Sequence, residues 1–173
     1  MSATRREFVA AGTLASTLMG ANDSIRLGLI GCGGRGRSLL RIFQKDPSCR
    51  IVAICDVDQS RLRETADSLA SAPEVYADYR RVLDRKDIDA VVVATPDHWH
   101  VIPALQAIRA GRDVYLEKPL GHTVEEGAVL VAEVERSDRI VEVGLQQRSA
   151  TIFAEAARLI REGALGRSAW FTA

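Results

Sequence analysis

Aromatic residues are scarce, at 5% of the 173-residue chain, and no net charge remains, with 23 lysines and arginines set against 23 aspartates and glutamates. A base-stacking platform needs the first, and a surface for nucleic acid or anionic lipid needs a basic excess, so neither partner is expected. Cysteine is sparse too. Cys32, Cys49 and Cys55 form an odd set of three with no C-x-x-C pair, which argues against a disulfide framework or a zinc site. Cys32 and Cys55 read as small buried side chains. No apolar run reaches the ~20 residues that a membrane span requires. What is present is ordinary: 47% hydrophobic and 27% charged residues suit one well-buried globular domain, and the length is too short for two full-sized ones.

Residues 1–21 differ from the rest. Thr4-Arg5-Arg6-Glu7-Phe8 precedes an uncharged run from Val9 to Ala21, rich in alanine, glycine, serine and threonine. A charged start before an apolar stretch is a signal-peptide pattern. The paired arginines, with Phe8 two residues beyond Arg6, resemble a bacterial twin-arginine export signal. That resemblance implies export of a folded protein to the periplasm, with cleavage near Ala21. An amphipathic N-terminal helix is the alternative, but the segment has no apolar period.

From Ile25 onward, short apolar runs alternate with helical patterns. Strands are expected at Ile25–Gly31, Arg50–Asp56, Ala90–Ala94, Asp113–Leu116 and Ile140–Val143, with a weaker one at Glu74–Tyr76. Ala90–Ala94 is apolar on both faces, as in a parallel strand covered by helices on each side. Leu39, Leu40 and Phe43 mark one helix, and Leu62, Ala66, Leu69 and Ala70 mark another. Val101–Ala110 is a third, with Pro103 in its first turn and Gly111 as its stop. Thr123-x-x-Glu126 is a capping box, with Ala128, Val131 and Ala132 on one face beyond it. This alternation predicts a doubly wound parallel sheet over residues 22–144. Thr151–Glu162 reads as a further helix closed by Gly163. Gly166–Ala173 then begins a strand and stops, which predicts that 145–173 is the start of an α+β substrate domain whose continuation is missing.

Gly31-Cys32-Gly33-Gly34-Arg35-Gly36 fits G-x-G-x-x-G after a strand and before a helix. Gly31 permits the tight turn, Gly33 lets backbone approach a pyrophosphate, and Gly36 lets helix and strand pack closely. The helix N-terminus adds N–H groups and a positive dipole end. Asp56 closes the second strand twenty residues past the last glycine, where a carboxylate meets an adenosine ribose 2′-hydroxyl. These features predict a Rossmann-type dinucleotide site that favours NAD over NADP. Asp58 could serve in place of Asp56, or simply cap the next helix, and Arg61 with Arg63 leaves an opening for NADP.

Three later segments sit at expected C-terminal strand ends: Ala94-Thr95-Pro96-Asp97-His98-Trp99-His100, Glu117-Lys118-Pro119, and Gly144-Leu145-Gln146-Gln147-Arg148. With the glycine turn and Asp56, this order resembles the Gfo/Idh/MocA oxidoreductases from Ile25 to the end of the chain. The resemblance implies hydride transfer between NAD(P) and a sugar, polyol or sugar derivative. It also implies a C-terminal α/β domain that forms much of the substrate site and often the interface of a homo-oligomer. Thr95, Pro96, Trp99 and His100 would line the cofactor, beside the glycine-turn residues Gly31 to Gly36. Glu117 would reach the nicotinamide-side ribose or support the turn, and Pro119 would be cis. Lys118 would face the nicotinamide and the reacting C–O group as the catalytic cation, with Gln147 and Arg148 in the same cleft. The second acid/base of the family lies in the domain missing here, which leaves a non-catalytic dinucleotide-binding module as the competing function. His98-x-His100 with Asp97 lacks enough ligands for a metal, and none is expected. His122 precedes a capped helix and reads as structural.

Overall fold

The computed structural model describes residues 24–146, 148, 150–164 and 166. The segment 1–21, and the strand expected at the C-terminus beyond Gly166, lie outside the described residues. Six strands form one sheet: β1 (Ile25–Ile30), β2 (Cys49–Cys55), β3 (Glu74–Tyr76), β4 (Ala90–Val93), β5 (Asp113–Glu117) and β6 (Val141–Gly144). Their order is β3-β2-β1-β4-β5-β6, and every pairing is parallel. Helices α1 (Gly34–Phe43), α2 (Gln59–Asp67), α3 (Tyr79–Asp84), α4 (Val101–Arg109) and α5 (Val124–Arg136) make the crossovers, and α6 (Thr151–Arg161) follows the sheet. The doubly wound parallel sheet read from the sequence is therefore the fold.

Side chains alternate across a strand, so a strand covered on both faces must be apolar at every position. β4 meets this condition. Val91 and Val93 enter one core with Val82, Ala104, Ile108 and Leu130, while Val92 enters the other with Leu29, Leu39, Ile54 and Leu62. In β1, Leu27 and Leu29 face the second core and Ile30 the first. Gly28 also faces the first core, where an added Cβ would stand 2.7 Å from Val82 Cγ1. The missing side chain lets α3 sit close against the sheet.

α3 was not foreseen. It is six residues long, too short to display a period, and its buried residues Val82 and Leu83 are adjacent rather than three or four apart. Its one local mark is Asp78, whose side chain accepts from the Arg80 N–H at 3.0 Å as an N-cap. α2 ends at Asp67, so Leu69 and Ala70 fall beyond the helix expected to carry them; Leu69 is nonetheless buried. The capping box before α5 is complete. Thr123 Oγ1 accepts from the Glu126 N–H at 3.2 Å, and Glu126 Oε2 accepts from the N–H groups of Thr123 and His122 at 3.3 and 2.7 Å.

The chain leaves β1 toward β2 and β3, then crosses back to β4 on the other side. The carboxyl ends of β1 and β4 are the switch point of the sheet, where ligands bind in open α/β folds.

The opposite end is tied by ion pairs. Arg85 donates to Asp87 at 2.5 and 2.9 Å and to the Val52 carbonyl at 3.1 Å. Its guanidinium holds the Asp87 carboxyl down at about 2, from a usual 3.8. A depressed carboxyl stabilises the fold above its unfolded value and loses that contribution as pH falls through the folded one. The contribution of Asp87 is therefore complete above pH about 4 and lost toward about 2. Thermal melts across this range should fall less steeply with acid in Asp87→Asn than in the unaltered chain.

Candidate functional site

At the end of β1 the chain turns on Gly31, with φ of +102°, a region that L side chains rarely adopt. The Gly31 N–H donates to the Cys55 carbonyl at 2.8 Å, and a Cβ on Gly31 would stand 2.5 Å from the Ala94 oxygen. Gly36 is more constrained still, since its Cβ would lie 1.9 Å from the Gly31 oxygen. Gly33 differs. A Cβ there meets only Arg61 Nη1, at 4.0 Å, and one at Gly34 meets nothing within 4 Å. The fold thus requires glycine at 31 and 36 but not at 33. Gly33 is the N-cap of α1, with no side-chain cap and no acid in the first turn, so this end of the helix is open to an anion.

Asp56 lies just past β2. One carboxylate oxygen accepts from the Cys32 N–H at 2.7 Å and the other from the Asp58 N–H at 2.8 Å. Each oxygen keeps a lone-pair direction for a further donor. Of the two roles open to Asp58, the structure has the cap: it accepts from Ser60 and Arg61 at the start of α2. Cys32 and Cys55 are buried beneath the turn, and burial pushes both thiols up to about 12.

Beyond β4, Thr95 Oγ1 donates to the Trp99 carbonyl at 2.9 Å across a short 3₁₀ turn, Asp97–Trp99. Trp99 is exposed. His100 is only 2% exposed, and both ring nitrogens face carbonyl oxygens: Nδ1 is 2.6 Å from Pro119 O and Nε2 is 2.8 Å from Thr95 O. A neutral imidazole can donate to one of these, and both are served only when the ring carries two protons. The ring stitches the loop after β4 to the loop after β5. It lines the cleft but offers a ligand no free nitrogen.

The Lys118–Pro119 peptide bond is cis. Glu117 is 3% exposed and accepts from Arg35 Nε at 2.6 Å and from Gln146 Nε2 at 3.2 Å. Lys118, the next residue, is exposed, and among the described residues nothing pairs with its ammonium. These groups line one cleft of about 220 Å³: Arg35 from the glycine turn, Thr95, Asp97 and His100 from the loop after β4, Glu117 and Lys118 after β5, and Gln146 after β6.

Of the expected site residues, Arg35, Thr95, His100, Glu117 and Lys118 line this cleft, whereas Asp56, Pro96, Trp99 and the rest of the glycine turn are not among its lining. Gln147 lies outside the described residues, and Arg148 is exposed with no side-chain contact to the cleft. Gln146, beside Gln147, is the glutamine that reaches Glu117, and nothing in a loop sequence distinguishes the two. Asp97, weighed only as a metal ligand, lines the cleft instead. It lies 3.5 Å from His98 Nδ1 and 3.6 Å from His122 Nδ1, and the His98 N–H holds its carboxyl below the usual range. Among the described residues no group of three or more His, Cys, Asp or Glu side chains is placed to hold a metal ion.

Residues 25–145 match the family described as an oxidoreductase family with an NAD-binding Rossmann fold. Inositol 2-dehydrogenase 4 of Saccharopolyspora erythraea is 36% identical over 149 residues, which are 85% of this chain and 44% of that protein. A glycosyl hydrolase family 109 protein of the same organism is 38% identical over 127 residues, 69% of this chain and 28% of its own length. Among solved structures, the myo-inositol dehydrogenase of Lactobacillus casei in complex with NAD(H) and myo-inositol superposes with a TM-score of 0.76 at 25% identity. The match covers 83% of this chain and 43% of that one. The chain thus spans less than half the length of these relatives.

The glycines give a graded expectation. Gly36→Ala should destabilise the fold by about 3 kcal/mol, because a backbone carbonyl rather than a flexible side chain must move. Gly34→Ala should leave stability within about 0.5 kcal/mol. Urea unfolding of the two variants checks both.

Proposed function

The chain belongs to the Gfo/Idh/MocA oxidoreductase family, and from that premise we propose that it is the cofactor-binding half of an enzyme moving hydride between NAD and a CH–OH carbon of a sugar, polyol or sugar derivative. The observation that carries this reading is Lys118. Among the described residues it is an exposed ammonium with no partner, in a cleft where Arg35 is held by Glu117, and Asp97 has two histidines beside it.

The residues present fit a dinucleotide. Gly33 and Gly34 leave open the space that a Cβ would fill, at the uncapped start of a ten-residue helix, so a pyrophosphate can approach backbone N–H groups there. Asp56 accepts the hydroxyls of the adenosine ribose and repels a 2′-phosphate. Thr95 would border the nicotinamide half, with Pro96 and Trp99 on the same loop. NAD held by these residues would supply the hydride acceptor. Lys118 then donates a hydrogen bond to the substrate hydroxyl oxygen and stabilises the negative charge that grows on it as the C–H bond breaks. The hydroxyl proton needs a separate acceptor, assigned here to the substrate domain that begins at residue 145. The same domain would carry the contacts of a homo-oligomer. The Lactobacillus casei relative, crystallised with myo-inositol, supports the polyol class. NADH formation from a panel of inositols and aldoses tests the activity.

Residues 1–21 we assign to twin-arginine export on the strength of Arg5-Arg6-Glu7-Phe8. Replacing both arginines by lysine should retain the protein in the cytoplasm. Fractionation that finds the double variant in the periplasm at undiminished level would remove this assignment.

For the cofactor, calorimetry should give NADH at least about tenfold tighter binding than NADPH, about 1.4 kcal/mol, from the charge of Asp56. Equal affinities would overturn the role of Asp56 in cofactor choice.

A further inference from the structure

Glu117 is a buried carboxylate engaged at both oxygens. Its side chain is 4% exposed, Oε1 lies 2.6 Å from both Nε and Nη2 of Arg35, and Oε2 takes the Gln146 amide at 3.2 Å. The three residues come from three places in the chain: Arg35 from the first turn of α1, just past the glycine turn, Glu117 from the end of β5, and Gln146 from the loop beyond β6. Gly144 makes the room, because a Cβ there would stand 2.8 Å from Glu117 Oε1. For a ribose hydroxyl to replace Arg35 at Glu117, a charged pair would have to be undone, which is costly when it strands a buried carboxylate. Lys118 follows Glu117 directly and inherits its position.

We propose that Glu117 is a positioning residue, a strut that fastens the glycine turn to the Lys118 loop and to the loop after β6 through Arg35 and Gln146, so that Arg35 and Glu117 act on the nicotinamide end of the site as one unit. The proposal rests on the NAD reading above for its effect on binding, and on the geometry alone for the strut. Arg35, on the glycine turn, is thereby held off the phosphates. The strut closes the nicotinamide side of the cleft and leaves the adenosine side to Gly33 and Asp56.

Two measurements on the full chain test it. The first needs no cofactor: hydrogen exchange of the unliganded protein. Arg35→Gln should raise exchange together at residues 31–36, 117–121 and 144–146, with β2 and α2 unchanged. Unaltered exchange in those three loops overturns the strut, whether or not any dinucleotide binds. The second is calorimetry with NADH and with ADP-ribose, which lacks the nicotinamide ring. Arg35→Gln and Glu117→Gln should each weaken NADH by about tenfold, while ADP-ribose stays within about twofold. The double variant should recover part of the Arg35→Gln loss, since it no longer leaves a buried carboxylate with one neutral partner. Gln146→Ala, a milder change, should reproduce the pattern at smaller size. Losses that multiply in the double variant would mean that both residues touch the cofactor directly, and equal loss of ADP-ribose would mean that the pair acts on the phosphates; either overturns the proposal. An unaltered chain that binds neither ligand defeats the NAD reading, and the exchange result still decides the strut.

Discussion

The Gly31 carbonyl oxygen occupies the place where a Cβ of residue 36 would stand, 1.9 Å away. That contact sets how closely α1 can descend on β1, and the cleft is arranged around it. Because α1 descends so far, its uncapped first turn points across the carboxyl ends of β1 and β4, and Arg35 reaches Glu117 at the end of β5. The other side of the turn is set by Asp56, which takes the Cys32 N–H and so joins β2 to the same few residues. A bulkier residue at 36 would push the helix outward, and both connections would lengthen together.

The two-sided burial of the sheet explains why so much was legible in the sequence. Val91, Val92 and Val93 alternate between two cores, which leaves no polar position and produces an apolar run bounded by turn residues. Gly31, Gly33, Gly36 and Asp56 are separated by distances fixed by one strand–turn–helix–strand unit, so their spacing survives in one dimension. What escaped, the pairings above all, has no such local constraint. Arg35 and Glu117 are 82 positions apart, and nothing near either names the other. Gln146 and Gln147 are chemically identical neighbours in a loop without period. α3 is too short for periodicity, and the tight packing that reveals it is recorded only at Gly28, one strand away.

Charge at the cleft is mostly spent internally. Arg35 answers Glu117, the two histidines beside Asp97 moderate that carboxylate, and the His100 ring is turned onto two protein carbonyls. Lys118 alone keeps its full hydrogen-bonding capacity among the described lining residues. A site built this way leaves one group free to meet a ligand, while the remaining polar residues are bound to one another and to the backbone. Much of what would be counted as lining is scaffold.

Asp56 ties two properties to one carboxylate. It is the acceptor for the Cys32 and Asp58 N–H groups, and it is the group proposed above to meet the adenosine ribose. A lineage, or an engineer, seeking to move this scaffold from one phosphorylation state of cofactor to the other cannot simply delete the charge. Removing the side chain oxygen orphans two backbone donors at the turn on which the phosphates would rest. Asparagine or serine gives up the charge and keeps an acceptor for one of the two donors only. A basic residue would follow only as a later step. Under the role proposed for Asp56, cofactor choice would be entrenched by the backbone, and the path to a new specificity would be narrower than a single-site comparison suggests.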